Sequence, residues 1–207
     1  MRNLLCIIVI LFASNVMAQN TGKFTDNRDG QTYKWVRIGN QIWMAENLRY
    51  KARGSGYYDL QVYGRIYDFK TAKKSCPSGW HLPSDSEWKI FERVLGMSEK
   101  VINSDYRSPS SNNIGFDLKS RSGWRPGWSS DGNGNGIDSY GFNALPGGYY
   151  HGYTKRFMHW GSSISFWSDT PVDIKNAIVR TLSSDNNSFN RDSVYKVHGN
   201  YCRCIKD

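Results

Sequence analysis

The stretch Cys76-Pro77-Ser78-Gly79-Trp80-His81-Leu82-Pro83-Ser84-Asp85-Ser86-Glu87-Trp88 decides how the chain is read. Its second half is a helix start. Ser84 stands at the cap position with Glu87 three residues on, and Trp88, Phe91 and Leu95 then recur as an apolar stripe up to Gly96. Upstream, Ile66, Phe69, Ala72 and Cys76 share helical spacing, which predicts a short helix from Tyr67 to Ser75 ended by Pro77 and Gly79. Further back, Gln31 to Ile38 and Gln41 to Leu48 flank Gly39-Asn40, a pair suited to a two-residue hairpin turn.

Downstream of Gly96 the composition shifts to Gly, Ser, Asn and aromatics as far as Gly161. Such a long irregular region is usually functional when it is ordered. Four β-like runs follow, Ser163 to Ser168, Ala177 to Leu182, Ser193 to His198 and Tyr201 to Lys206, and they suggest an antiparallel sheet. No fixed-period repeat is visible.

The chain has 207 residues, 39% apolar and 14% aromatic, which excludes collagen-like and disordered classes because this much ring area can offset ordering entropy. Its 27 Lys plus Arg against 18 Asp plus Glu give a net charge of +9. Those basic residues occur singly or in pairs such as Lys73-Lys74, never as a run along a phosphate backbone, so nucleic acid is not the expected partner. The charge suits attraction to anionic surfaces or polysaccharides.

Met1-Arg2-Asn3, the apolar run Leu4 to Ala13 and the small residues of Val16-Met17-Ala18 read as a signal peptide cleaved after Ala18. The apolar run falls short of the roughly 20 residues a membrane-spanning helix needs. An exported chain without a transmembrane segment is expected: secreted, periplasmic or associated with the cell surface. Removing Cys6 with the leader leaves Cys76, Cys202 and Cys204 in an oxidising compartment. Cys202 and Cys204 are poorly placed to bond each other if they lie on one strand face, so Cys76 must pair with one of them.

The ordered set Asp29-Gly30-Gln31-Thr32-Tyr33, Trp43-Met44-Ala45-Glu46-Asn47-Leu48, Tyr63-Gly64-Arg65, the Cys76–Trp88 stretch, Tyr140-Gly141-Phe142, Ala144-Leu145-Pro146-Gly147-Gly148, Phe166-Trp167-Ser168 and Arg203-Cys204 resembles the Fibrobacter succinogenes major paralogous domain. That resemblance divides the chain into the leader at 1–18, a short segment at 19–24 and the domain at 25–207. More widely, the cysteine-bearing helix, the Gly79–Trp88 motif and the terminal Arg203-Cys204 look like the C-type lectin-like fold. They are also similar to formylglycine-generating enzymes and their non-catalytic relatives. The resemblance implies an α+β fold in which two helices flank a small twisted antiparallel sheet, with adjacent terminal strands and a long loop region on one side. It also implies a Cys76–Cys204 disulfide. Cys202 stands where the family usually has a small apolar residue, and a buried free cysteine behaves as a small hydrophobe.

Neither a serine-histidine-aspartate elbow, nor a His-Glu-x-x-His pair, nor the reactive cysteine pair of formylglycine-generating enzymes is recognisable, so a non-enzyme is expected. Asp131, Asn133, Asn135 and Asp138 place oxygen ligands at near-alternate positions among glycines, a candidate calcium loop. An EF-hand would need a glutamate where Phe142 stands, and the lectin calcium signatures are missing. The competing reading, with no cofactor required, is a turn whose amides cap their own backbone. Trp35, Trp43, Trp80, Trp88 and Trp167 are assigned to the core. Trp128, Tyr149, Tyr150, His151, Tyr153 and Trp160 are candidate ligand-binding residues, since rings with polar edges can stack on a sugar and bond its rim. The expected function is a non-catalytic recognition module for an extracellular glycan or protein. A structural part of a cell-surface complex is the alternative, with an enzyme third.

Overall fold

In the structure, a computed structural model, residues 20–53, 55–56, 61–104, 113–128 and 132–207 are described; the leader and the candidate ligand Asp131 lie outside them. The first hairpin forms as its turn dictates. β1 (Thr21–Thr25) runs antiparallel to β2 (Thr32–Ile38), and β2 to β3 (Gln41–Met44), with Gly39 in the left-handed region at φ 59°. Next come β4 (Ile66–Tyr67), α1 (Phe69–Ala72), β5 (Trp80–His81), α2 (Asp85–Val94), α3 (Glu99–Ile102) and α4 (Ile114–Leu118). The C-terminal third holds β6 (Tyr149–His151), β7 (Arg156–Met158), β8 (Ser163–Pro171), β9 (Asn176–Ser183), β10 (Asn190–Tyr195), β11 (Asn200–Tyr201) and β12 (Ile205–Lys206).

The expected α+β, lectin-like layout of two helices flanking one small sheet is overturned. Of the described residues 34% are strand and 15% helix, arranged as four short helices and three sheets. Two five-stranded sheets have the orders β1-β2-β3-β12-β5 and β10-β9-β8-β11-β4, and β6 with β7 forms the third. The terminal strands share a sheet but are separated in it by β2 and β3.

Two local causes explain the departure. The first predicted helix shrinks to one turn: Ile66 and Tyr67 are claimed by pairing with Tyr201 and Asn200, and Asp68 caps the turn by accepting the Thr71 N–H at 2.7 Å. Past Ala72, Arg28 donates to the Ser75 carbonyl at 2.8 Å and the Cys76 disulfide fixes the chain's direction. The second cause is the run Tyr201 to Lys206, which reads as one strand but divides, β11 joining one large sheet and β12 the other. The Ser193 to His198 run is also shifted, since the strand occupies Asn190–Tyr195 and a turn brings the His198 N–H to the Tyr195 carbonyl.

The second predicted helix forms with its capping box intact. Ser84 Oγ accepts the Glu87 N–H, and the Glu87 carboxylate accepts the Ser84 N–H at 2.7 Å. This sets Trp88 in the core, 4.5 Å from the Trp43 ring and 5.8 Å from Phe189. Trp43, Trp80, Trp88 and Trp167 are buried as assigned, and Trp35 is half-buried. On the polar side of the same helix, Glu92 and Asp85 receive the fully buried Arg180, and Asp85 also takes Arg191 at 2.8 Å. Helix and large sheet are thereby clamped.

Between β11 and β12 the chain crosses from one sheet to the other through Cys202, Arg203 and Cys204. The disulfide joins Cys76 to Cys204 with the Cα atoms 5.9 Å apart, and Cys202 is a buried free thiol. Closing a loop of that length restricts the unfolded chain by about 4–5 kcal/mol in the chain-entropy picture. Arg203 has no exposed surface. Its guanidinium donates to Asn47 Oδ1 at 2.6 Å, to the Asn143 carbonyl at 3.0 Å and to the Met44 and Phe142 carbonyls, stacked against the Phe142 ring at 4.4 Å. Burial pushes its pKa down to about 9, partly offset by Asp138 and Glu46. Arg203→Met is expected to lower unfolding free energy by about 3 kcal/mol or more, because several buried oxygens lose their donor at once. Urea titration under non-reducing conditions checks this, and a loss below about 1 kcal/mol contradicts it.

The C-terminal strand is also latched by His81. Its Nδ1 lies 2.6 Å from Asp207 Oδ1 and its Nε2 2.7 Å from Glu87 Oε1. Two carboxylate partners require both ring nitrogens to carry protons. Burial alone would lower the pKa, but the bonds to Asp207 and Glu87 outweigh it and raise it above 6.5. A raised pKa contributes stability that is complete below the unfolded value and is lost as pH rises through the folded one. The melting temperature should therefore fall more steeply as pH rises above about 6.5 in the wild type than in His81→Asn; parallel curves contradict the latch.

Candidate functional site

The hairpin β6–β7 is seated by backbone contacts that leave no room for side chains. Tyr150 and Gly199 exchange two N–H···O bonds of 2.9 Å, and a Cβ on Gly152 would lie 2.1 Å from the Val197 carbonyl oxygen. This close approach brings the Gly152 N–H to His198 Nδ1 at 3.0 Å. Alternation along β6 then sends Tyr149 and His151 to one face and Tyr150 to the other.

On the first face six rings from separate segments meet. His151 and His198 have centroids 4.5 Å apart, Tyr149 stacks on His159 at 5.7 Å, and Tyr195 meets Tyr153 edge-on at 5.3 Å and His198 at 5.6 Å. Tyr153 is 61% exposed and Tyr195 lies at the edge of a hollow of about 430 Å³ that Asp173, Asn176, Asp192, Ser193 and His198 also line. His151 Nδ1 accepts the Thr154 N–H at 3.1 Å. Since a backbone amide can only donate, the neutral rings of His151 and His198 carry their protons on Nε2. Neither Nε2 has a protein partner among the described residues, and that of His198 reaches solvent. Burial, then the neighbouring His151, push the His198 pKa below 6.5, so this ring is neutral at pH 7.

Of the six ring residues singled out from sequence, the structure gathers Tyr149, His151 and Tyr153. Tyr150 packs on Phe157 at 5.2 Å behind the hairpin. Trp160 lies under the Arg125 guanidinium at 4.4 Å, and Trp128 stands apart with its side chain wholly exposed and its N–H bonded to Asp185. His159, Tyr195 and His198 complete the platform and went unrecognised; the last two sat inside a run read as plain strand.

In the glycine-asparagine loop the described oxygens are turned to the loop's own backbone. Asn133 Oδ1 accepts the Asn135 N–H, Asn135 Oδ1 the Trp124 N–H, and Asp138 Oδ1 the Asn143 N–H at 2.6 Å. Beneath the loop, a hollow shared with Asn133 and Asn135 already holds a cation. The buried Lys119 ammonium bonds the Ser183 and Asn186 carbonyls at 3.2 Å and Asn187 Oδ1 at 3.1 Å, with burial drawing its pKa down. No group of three or more His, Cys, Asp or Glu side chains is arranged for a metal among the described residues. Asn133, Asn135 and Asp138 thus spend an oxygen each on backbone N–H groups, while Asp131 lies outside the described residues.

The model of one family, the Fibrobacter succinogenes major domain, matches residues 36–206. The chain belongs to that family. Within it, the Fibrobacter succinogenes major domain match runs from the middle of β2 to β12 and so includes the platform, the disulfide and the Arg203 crossing. No curated protein and no solved structure, lectin-like or other, matches the chain. No helix among the described residues is long and apolar enough to cross a membrane.

Replacing the internal cation tests the loop. Lys119→Met should cost about 1 kcal/mol or more, since three partly buried hydrogen bonds to the ammonium are lost. Calcium at millimolar concentration should leave the wild-type melting temperature unchanged, and a rise would contradict the assignment of this position to lysine.

Proposed function

We propose that this Fibrobacter succinogenes major domain is an exported, non-catalytic recognition module that binds a glycan on the tyrosine–histidine platform. The observation that carries the reading is the convergence of Tyr149, His151, Tyr153, His159, Tyr195 and His198, with both imidazole Nε2–H groups unpartnered among the described residues. Ring faces take the apolar face of a sugar, while N–H donors and phenol groups bond its hydroxyls. The adjoining hollow is of a size to receive a sugar residue. Export is supported by the leader pattern of Met1 to Ala18 and by the disulfide, which belongs to an oxidising compartment.

Tyr153 and Tyr195 are both exposed and are the clean probes. Tyr153→Ala and Tyr195→Ala should each weaken glycan binding by about tenfold, with the melting temperature unchanged. Glycan-array screening followed by calorimetry checks this. Full binding in both variants removes the platform, and a concentration-dependent mass without any glycan signal favours assembly into a surface complex.

A further inference from the structure

Of the two histidines that offer Nε2–H to a ligand, His198 also ties the hairpin to the rest of the fold through Nδ1, which accepts the Gly152 N–H at 3.0 Å. His151 Nδ1 accepts the Thr154 N–H at 3.1 Å within the hairpin's own turn and lies 2.9 Å from Thr154 Oγ1. Adding a proton to His198 Nδ1 would set N–H against N–H and break the Gly152 bond. The His151 ring, with its centroid 4.5 Å away, packs against the same imidazole. The groups facing His198 are Tyr149, His151 and Tyr153 from the hairpin, Tyr195 and Asp192 from β10, and Asp173 from the β8–β9 turn. Arg156, paired across the hairpin from His151, and Lys155 beside it add positive charge on that side. Burial and His151 already hold the His198 ring neutral below its ordinary range.

The same hollow selects among sugars. Asp173 and Asp192 line it; the Lys175 and Asn176 backbone amides and the Asn176 side-chain amide fill Asp173 Oδ1, and the side-chain amide also bonds Oδ2, which keeps room for one hydroxyl donor. A sugar hydroxyl can donate to a carboxylate and accept from an imidazole N–H; an acidic sugar would instead face two carboxylates.

We infer that the platform holds an uncharged glycan at neutral pH and releases it on acidification, because a proton on His198 Nδ1 detaches the Gly152 amide and with it the hairpin turn. This rests on the glycan reading of the platform. The sign follows from the bonds: proton uptake is opposed in the assembled platform, so lowering the pH favours the detached state.

The test is calorimetric titration of the purified protein with cellohexaose, xylohexaose, mannohexaose and hexagalacturonate at about pH 7.5 and pH 5, alongside His198→Asn. Asparagine Oδ1 can replace Nδ1 as acceptor for the Gly152 N–H without titrating; if that variant does not fold, the wild-type Gly152 amide resonance followed over the same pH range takes its place, and an unchanged resonance overturns the inference. At least one neutral hexamer should bind at the higher pH, about tenfold more tightly than hexagalacturonate, and lose about tenfold at the lower pH. A cooperative melting transition should persist at the lower pH, and the asparagine variant, weakened by the loss of one Nε2–H donor, should show the same affinity at both pH values. Equal wild-type affinity at both pH values, an equal loss in the variant, hexagalacturonate binding as tightly, or loss through global unfolding would each overturn the inference and leave the glycan reading standing. If none of the hexamers binds at the higher pH, the glycan reading itself fails and the inference with it.

Discussion

A single buried guanidinium fixes how the two large sheets are joined. Arg203 sits in the three-residue crossing from β11 to β12, and its hydrogen-bond partners among the described residues are neutral oxygens: the Asn47 amide and the carbonyls of Met44, Phe142 and Asn143. A buried charge without a carboxylate in hydrogen-bond contact is tolerable only when nearly every N–H finds an acceptor, so the two segments at 44–47 and 142–143 must stand where Arg203 requires them. The neighbouring Cys204 ties the same crossing to the end of the first helix, and the Cys202 and Cys204 carbonyls accept the Leu48 and Met44 N–H groups.

The platform inherits its position from that crossing. Tyr201, two residues before Arg203, donates its hydroxyl to the Gly147 carbonyl at 2.9 Å, at the root of the β6–β7 hairpin. A Cβ on Gly147 would lie 2.3 Å from that hydroxyl, so the strand and the hairpin root interlock. Gly199 then pairs with Tyr150, and His198 takes the Gly152 amide. Arg203, Tyr201, Gly199 and His198 thus form one ladder from core to surface. The aromatic rings are preset before a ligand arrives, which limits the ordering entropy lost on binding.

Local signals in the sequence were legible where local physics decides. Ser84 with Glu87 fixed a helix start, and Gly39-Asn40 marked a hairpin, because caps and turns depend on residues within a few positions of one another. The Cys76–Cys204 pairing followed from family resemblance, while spacing alone left Cys202 equally open. Fold class was misread because Tyr201 to Lys206 has uniform strand character, and nothing in its composition reveals that Arg203 diverts it into a second sheet. The platform was half legible: Tyr149, His151 and Tyr153 are close in sequence, but His198 joins them only through the Gly152–Val197 contact. Tyr150 was drawn in by proximity along the chain and separated by strand alternation. Lys119 carried no sequence signal, since an internal ammonium looks like any lysine until its three oxygens are assembled around it.

The most direct test of a preset histidine platform is nitrogen-15 NMR of the imidazole rings during titration with a neutral oligosaccharide. The account predicts that His151 and His198 both carry their protons on Nε2 at neutral pH, and that these two rings shift on addition of the sugar while His81, on the opposite latch, does not. Nδ1-protonated tautomers in the free protein, or perturbations confined to the Trp128 and Trp160 region, would contradict it.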